Sequence, residues 1–409
     1  MQLREWNARL HGLVVFRALL GDPVVAKLAA LTDRLEAADD SIAPLCDAVA
    51  AFEAALFAHT TNLGDYLSNA VLETETFCVR QAAAGQLSPV MEAALNSELN
   101  FLQKLCGLTL DALLEAADRQ SRELAFLPRW EARQLDLTAA YNQRMREAGK
   151  KGYGMFAKHH VFTVENGQLV PVKYPDPQKL SELPGYEKER EKVIANTRAL
   201  LAGSPANNVL LYGDAGTGKS STVKAIANEY AADGLRLVEV KKNQLYQIPD
   251  LMDQLAANPL RFILFIDDLS FSSNDDNFAA LKAILEGSVG GRARNIAVYA
   301  TSNRRHLIKE SWSDRNDMEN ENGMHRSDTM QEKLSLVARF GVTIYYGKPS
   351  QKEYFTIVKE LRKRYPSITL TDEELCAEAN KWELSHGGIS GRTAQQFINY
   401  MAGMAPAAE

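Results

Sequence analysis

Two textures of apolar and polar positions divide the chain. Over residues 1–148, apolar side chains recur at three- and four-residue spacing behind helix-start signals, which predicts an almost entirely helical stretch. In "DPVVAKLAALTDRLEAADD" Asp22 takes the N-cap and Pro23 the first turn, and Val24, Leu28, Leu31 and Leu35 share one face. "SPVMEAALNSELNFLQKL" repeats the device with Ser88 and Pro89 ahead of Leu95, Leu99 and Leu102. Such stripes belong to the core of a helix bundle, and no repeat of fixed period accompanies them.

From Asn207 the period changes. "NVLLYG", "LRLVEV", "RFILFIDD", "NIAVYATS" and "VTIYYG" read as strands, with helical patterns between several of them. The third is an almost continuous apolar run, as expected of a strand covered on both faces. The alternation predicts a doubly wound parallel sheet. Three helical stretches follow Pro349, and the polar, uncapped run from Ser311 to Gln331 reads as a loop.

Between the two textures lies "EAGKKGYG", a glycine-rich basic joint. "HHVFTVENGQLVPVKY" comes next, two β-prone runs around Asn166-Gly167, a strong hairpin signal. The adjacent His159 and His160 would point to opposite faces of a strand, which argues against a joint metal site. A long helix is expected after Gly185. The chain therefore reads as four segments: an all-α domain at 1–148, a linker with a hairpin at 149–180, an α/β core at 181–348 and a helical lid at 349–409.

Composition changes this picture little. The chain has 409 residues with 46% hydrophobic and 24% charged, enough for two or three globular domains. A net charge of −6 gives no overall attraction to nucleic acid or to acidic membranes. Cys46, Cys78, Cys106 and Cys376 are scattered without a CxxC pair, as in reduced proteins of the cytosol. The N-terminal apolar run is interrupted by Arg17 and has no signal-peptide order, and no stretch is long enough to span a bilayer. A cytoplasmic location is expected.

The chemistry is concentrated in "GDAGTGKSS". Three glycines within six positions cost conformational entropy, so something must need close access to that backbone. Gly213, Asp214, Ala215, Gly216, Thr217, Gly218, Lys219 and Ser220 match G-x-x-x-x-G-K-[ST], with an apolar strand before and a helix after, and Ser221 is expected to bind nucleotide with them. In such a loop the amide N–H groups and the helix N-terminus cradle a phosphate chain. Lys219 would hold the β- and γ-phosphates, and Ser220 would ligate Mg²⁺. A second anchor for the metal is expected at a neighbouring strand end, where Asp267 and Asp268 emerge from "RFILFIDD". Asp267 fits the residue that orients Mg²⁺, and Asp268 could polarise the attacking water, though aspartate is shorter than the usual glutamate.

"YATSNRRHL" resembles the segment of AAA+ ATPases that ends in a polar sensor residue, which puts Asn303 in that role. "LSLVARFGVTIYYG" resembles the arginine-finger segment and implies Arg339, with Arg304, Arg305 and Arg326 as competitors. "GGISGRTAQQF" resembles the lid's sensor 2 motif, with Arg392 turned to the phosphates. "LSELPGYEKER" resembles the adenine-side segment, with Pro184, Gly185 and Tyr186 beside the base. From about Val161 to Met401 the order and wording of segments are similar to the bacterial domain-of-unknown-function family 815, predicted AAA+ ATPases with an N-terminal extension. A departure from many AAA+ proteins is Asp214-Ala215 where they carry a proline; those positions are expected to contribute backbone.

The resemblance implies a five-stranded parallel P-loop core with a helical lid, binding and hydrolysing Mg-ATP to remodel a partner. It also implies a ring-like homo-oligomer favoured by nucleotide. A nucleotide switch with little turnover is the alternative, and a nucleic-acid loader a weaker one, since no basic recognition helix is visible. No N-K-x-D tetrapeptide follows the fourth strand, which favours ATP over GTP. Tyr246 follows the second strand, where threading motors carry an aromatic pore residue; without a flanking glycine, helix packing is its plainer role.

Overall fold

The structure is a computed structural model describing residues 3–37, 41–83, 87–119, 124–271, 277–286, 293–303 and 336–404. The stretch Ser311–Gln331 and the competing arginines Arg304, Arg305 and Arg326 lie outside the described residues. Two compact units are present: Met1–Lys158 with Ala257–Pro259, and His159–Ala256 with Leu260–Glu409. Among the described residues no helix is long and apolar enough to cross a membrane.

The first unit contains α1 (Leu3–His11), α2 (Pro23–Glu36), α3 (Ile42–Phe57), α4 (Leu63–Glu73), α5 (Phe77–Ala83), α6 (Pro89–Cys106), α7 (Leu110–Ala116), α8 (Leu137–Arg146), α9 (Ala148–Lys151) and α10 (Met155–Lys158). Asp22 accepts from the Val24 and Val25 amides and Ser88 from the Met91 amide, which satisfies N–H groups that a helix start leaves without partners. The apolar stripes meet in one core: Val24, Leu28 and Leu31 of α2 join Leu99 and Leu102 of α6, and Phe52 packs edge-on against Trp130. The glycine-rich joint belongs to this unit. The Gly154 amide donates to the Glu73 carbonyl at 2.7 Å, and Lys158 pairs with the Glu73 carboxylate at 3.1 Å.

The second unit is built on one sheet. Its strands are β1 (Val161–Glu165), β2 (Gln168–Pro171), β3 (Val209–Gly213), β4 (Leu235–Glu239), β5 (Arg261–Ile266), β6 (Ile296–Ser302) and β7 (Val342–Tyr346), ordered β2-β1-β4-β5-β6-β3-β7. All pairs are parallel except β1 with β2. The expected count of five strands is corrected to seven, because the hairpin does not stand apart. The edge of β4 presents unpaired backbone groups, and β1 satisfies them by parallel pairing of Val161–Thr163 with Leu237–Glu239. Helices α11 (Glu187–Leu201), α12 (Lys219–Glu229), α13 (Ile248–Ala256) and α14 (Asn277–Glu286) belong to this unit, and Phe262–Ile266 of β5 are completely buried, which explains that strand's unbroken apolar run.

The segment expected to form a lid comprises α15 (Gln351–Arg362), α16 (Asp372–Ser385) and α17 (Gly391–Met404). Ser350 with Glu353, and Thr371 with Glu374, close reciprocal capping boxes that start α15 and α16. The three helices share a small core of Tyr354, Ile357, Leu361, Leu375, Phe397 and Ile398.

Candidate nucleotide site

Strand order assembles the site. The sequence-adjacent β4 and β5 lie on one side of β6, and β3 lies on the other, so β3 and β5 both pair with β6. Register sets Tyr212 of β3 opposite Ser302, and Ile266 of β5 opposite Ala300. The phosphate-type loop after β3 and the acids after β5 therefore emerge at the same sheet end, where ligands of open α/β sheets bind. Side chains alternate along β6, so Thr301 and Asn303 share a face between them.

The loop glycines are needed for two reasons. Gly213, Gly216 and Gly218 have φ of 127°, 75° and 88°, in the left-handed region. A Cβ on Gly213 would lie 2.2 Å from the Tyr346 carbonyl oxygen, and one on Gly216 would crowd Ser390 and Arg392 at 3.1 Å. A Cβ on Gly218 would meet nothing within 4 Å and would project into open space at the start of α12. That space belongs to a cleft of about 600 Å³ between the sheet end and the lid. Ala215, Gly216, Thr217, Gly218, Lys219, Ser220 and Ser221 line it, with Asp267, Asp268, Thr301 and Asn303. Leu183, Pro184, Tyr186, Ile357 and Leu361 add apolar lining.

Lys219 is 6% exposed, and its ammonium donates to the carbonyls of Gly213 (2.9 Å) and Asp214 (2.7 Å) and to Asn303 Oδ1 (3.0 Å). Burial pushes its pKa below the usual lysine range, opposed by the nearby carboxylates of Asp214, Asp267 and Asp268. Ser220 Oγ donates to Asp267 Oδ1 at 2.6 Å. Thr301 Oγ1 donates to the same carboxylate oxygen and accepts the Asp268 amide at 2.9 Å. Asp268 has a left-handed φ of 51°, and its carboxylate accepts from Asn303 Nδ2 at 2.9 Å. Asn303 thus joins Lys219 to Asp268.

These residues suit a triphosphate with its metal. A hydroxyl and a carboxylate in contact are the hard oxygen donors that Mg²⁺ takes, usually one or two from protein and the rest from phosphate and water. Among the described residues no group of three or more His, Cys, Asp or Glu forms a metal cage, so Ser220 and Asp267 could hold the ion only together with a phosphate-bearing ligand. Arg392, in the first turn of α17, lines the same cleft, and its charge helps to lower the Lys219 pKa.

Other expected residues are placed differently. Gly185 and Tyr186 both have left-handed φ, 78° and 59°, and a Cβ on Gly185 would press on Ile357 of the lid at 3.1 Å. Arg339 occupies the turn before β7, its amide donating to the Leu336 carbonyl at 3.1 Å, and it does not line this cleft. Tyr246 is 66% exposed, with its hydroxyl accepting from Gln247, so the expectation that it packs within a helix core is corrected. Asp214, expected to contribute its backbone to the loop, also uses its side chain, which accepts the Lys348 amide at 2.7 Å. Thr301 was not singled out from sequence, although its place two residues before Asn303 on a strand was a usable signal. Arg190, buried in α11 and donating to the Gly185 carbonyl, also lines the cleft, and nothing in its sequence context marks it.

Sheet order, phosphate-type loop and paired acids together define a P-loop nucleotide-binding arrangement of the AAA+ class. Residues 156–405 match the family described as Protein of unknown function (DUF815), and the chain belongs to that family. It is 28% identical over 176 residues to the replication factor C large subunit of Pyrococcus horikoshii, which is 41% of this chain and 36% of that protein. Against the same subunit of Thermococcus kodakarensis the identity is 44% over 63 residues, 15% of this chain and 13% of the relative. The chain therefore spans about a third or less of these two curated relatives. Among solved structures, the RuvB Holliday junction branch migration motor of Thermotoga maritima superposes with a TM-score of 0.35 at 18% identity, covering 55% of this chain and 63% of that one.

Proposed function

We propose that this chain binds and hydrolyses Mg-ATP and uses the cycle to change the conformation of a protein partner. The observation that carries the reading is the 2.6 Å contact of Ser220 with Asp267, which closes a loop-to-strand pair of oxygen donors beside the Lys219 ammonium. When bound, Mg²⁺ supplies charge neutralisation at the β- and γ-phosphate oxygens. Amides of the loop and Lys219 hold the phosphates, and Arg392 approaches from the lid. Asn303 and Asp268 position a water in line with the γ-phosphorus. Its oxygen bonds to that phosphorus, the β–γ bridging bond breaks, and its proton passes to Asp268, leaving ADP and inorganic phosphate. The apolar lining of Leu183, Pro184 and Tyr186 takes the base.

Arg339 points the same reading towards a ring. By its resemblance to the arginine-finger segment it is assigned to a neighbouring subunit's nucleotide, where such a residue is worth ~10³–10⁵ in rate. Phosphate release by the purified chain, measured beside Lys219→Ala, tests the enzyme; mixing Arg339→Ala with Lys219→Ala subunits tests the ring. Activity above the additive sum supports action in trans, and strictly additive loss removes it. A DNA mobility shift that weakens with salt would replace the protein partner by nucleic acid.

One observation favours a second reading, a nucleotide switch with little turnover. Asp268 is a methylene shorter than glutamate and is already engaged by Asn303 at 2.9 Å. Tight ATP binding without phosphate release would select it.

A further inference from the structure

We infer that Asp214 is a positioning residue that couples the phosphate loop to the lid, a role that rests on the nucleotide reading of the cleft. An acid is a poor choice inside a loop that cradles phosphate, because its charge opposes the ligand. Its side chain is used elsewhere. Asp214 Oδ2 accepts the Lys348 amide at 2.7 Å and faces the Tyr345 hydroxyl at 3.5 Å. Lys348 lies between the end of β7 and the cap of α15, where the chain leaves the sheet for the lid. The same loop residue donates its own amide to the Tyr346 carbonyl at 2.9 Å, so one residue grips both sides of the joint.

A second stitch lies deeper in the loop. The Gly216 carbonyl accepts the Arg392 amide at 3.0 Å, at the start of α17. Between these two stitches, any shift of the loop when phosphates enter is passed to the hinge through Asp214 and to the first turn of α17 through Gly216. The hinge is held from the base side as well, where the Tyr186 hydroxyl donates to the Gly347 carbonyl at 2.7 Å. Loop and lid therefore move as one body while the carboxylate clamp is closed. Proline at this position, frequent in other loops of this type, could not form that clamp.

Hydrogen–deuterium exchange by mass spectrometry tests the coupling on the full chain, with and without saturating Mg–AMP-PNP. Asp214→Ala removes the acceptor; Asp214→Asn removes the charge and keeps an acceptor oxygen. Without nucleotide, Asp214→Ala is expected to speed exchange of the hinge amides around Lys348 about tenfold, the loss of one charge-assisted hydrogen bond. With AMP-PNP, the wild type gains protection at the start of α12, at the hinge and at the start of α17. Asp214→Ala keeps the first gain and loses the other two, and Asp214→Asn follows the wild type. Equal lid protection in wild type and Asp214→Ala, or an Asp214→Asn variant that behaves as the alanine, overturns the coupling alone. No protection at the start of α12 in the wild type overturns the nucleotide reading and the coupling with it.

Discussion

Lys219 and Asn303, 84 residues apart in the chain, meet at 3.0 Å, ammonium to amide oxygen. The contact uses a donor that a phosphate would claim. It also fixes the Asn303 amide so that its nitrogen faces Asp268 at 2.9 Å. Lys219 and Asp268, proposed above to hold the phosphates and to polarise the water, are thus joined through one side chain.

Removing the acid at one end of this relay, or the asparagine that links it to Lys219, should separate binding from chemistry. Asp268→Asn and Asn303→Ala are expected to bind ATP within a few-fold of the wild type. Turnover should fall ~10²–10⁴-fold for Asp268→Asn, the usual loss of a positioned base. Single-turnover phosphate release beside calorimetric affinity distinguishes this from simple loss of binding.

Lys219 gives the site a pH signature. Burial lowers its pKa, so in the free protein the charge is lost at a lower pH than for an ordinary lysine, ~10.4. A bound triphosphate favours the charged form and raises that value. Between the two, binding takes up a proton and affinity falls as pH rises. Calorimetry in two buffers of different ionisation enthalpy should show proton uptake that grows as pH rises from neutrality towards the ordinary lysine range. Lys219→Ala should weaken binding ~10–100-fold.

Thr301 donates to the Asp267 carboxylate, proposed above to hold Mg²⁺, while its oxygen takes the Asp268 amide. Thr301→Val keeps the shape and removes both bonds. The Mg²⁺ concentration for half-maximal activity should rise ~10-fold or more, as for other residues that orient metal ligands, and Thr301→Ser should restore it.

Glu53 is a test in the first unit. It is 2% exposed, and among the described residues neither carboxylate oxygen finds a hydrogen-bond partner. Burial raises its pKa from 4.5 to about 7, partly offset by Arg129. The folded form holds a proton that the unfolded form has released, so stability falls as pH rises between those values and levels off above them. Glu53→Gln should remove this slope. Thermal unfolding at pH ~5 and ~8 measures it, with the wild type losing more between the two than the variant.

Local rules made much of the molecule legible. Asp22 and Ser88 act as the helix starts expected of them, because capping depends only on a side chain and the three residues after it. The loop around Gly213–Lys219 is equally local, since its strand, glycines and helix are contiguous. The hairpin at Asn166-Gly167 was readable too, but not its destination: joining β4 is a choice among sheet edges that no nearby residue encodes.

Sequence by itself determined the elements, the phosphate-type loop and the acids ending β5, because spacing and residue type fix those over a few positions. Tertiary structure alone decided that the sheet has seven strands, that Thr301 and Asn303 stand between loop and acid, and that the Asp214 carboxylate turns to the lid hinge. Strand order sets those distances, and strand order comes from pairing edges and burying faces across the whole unit.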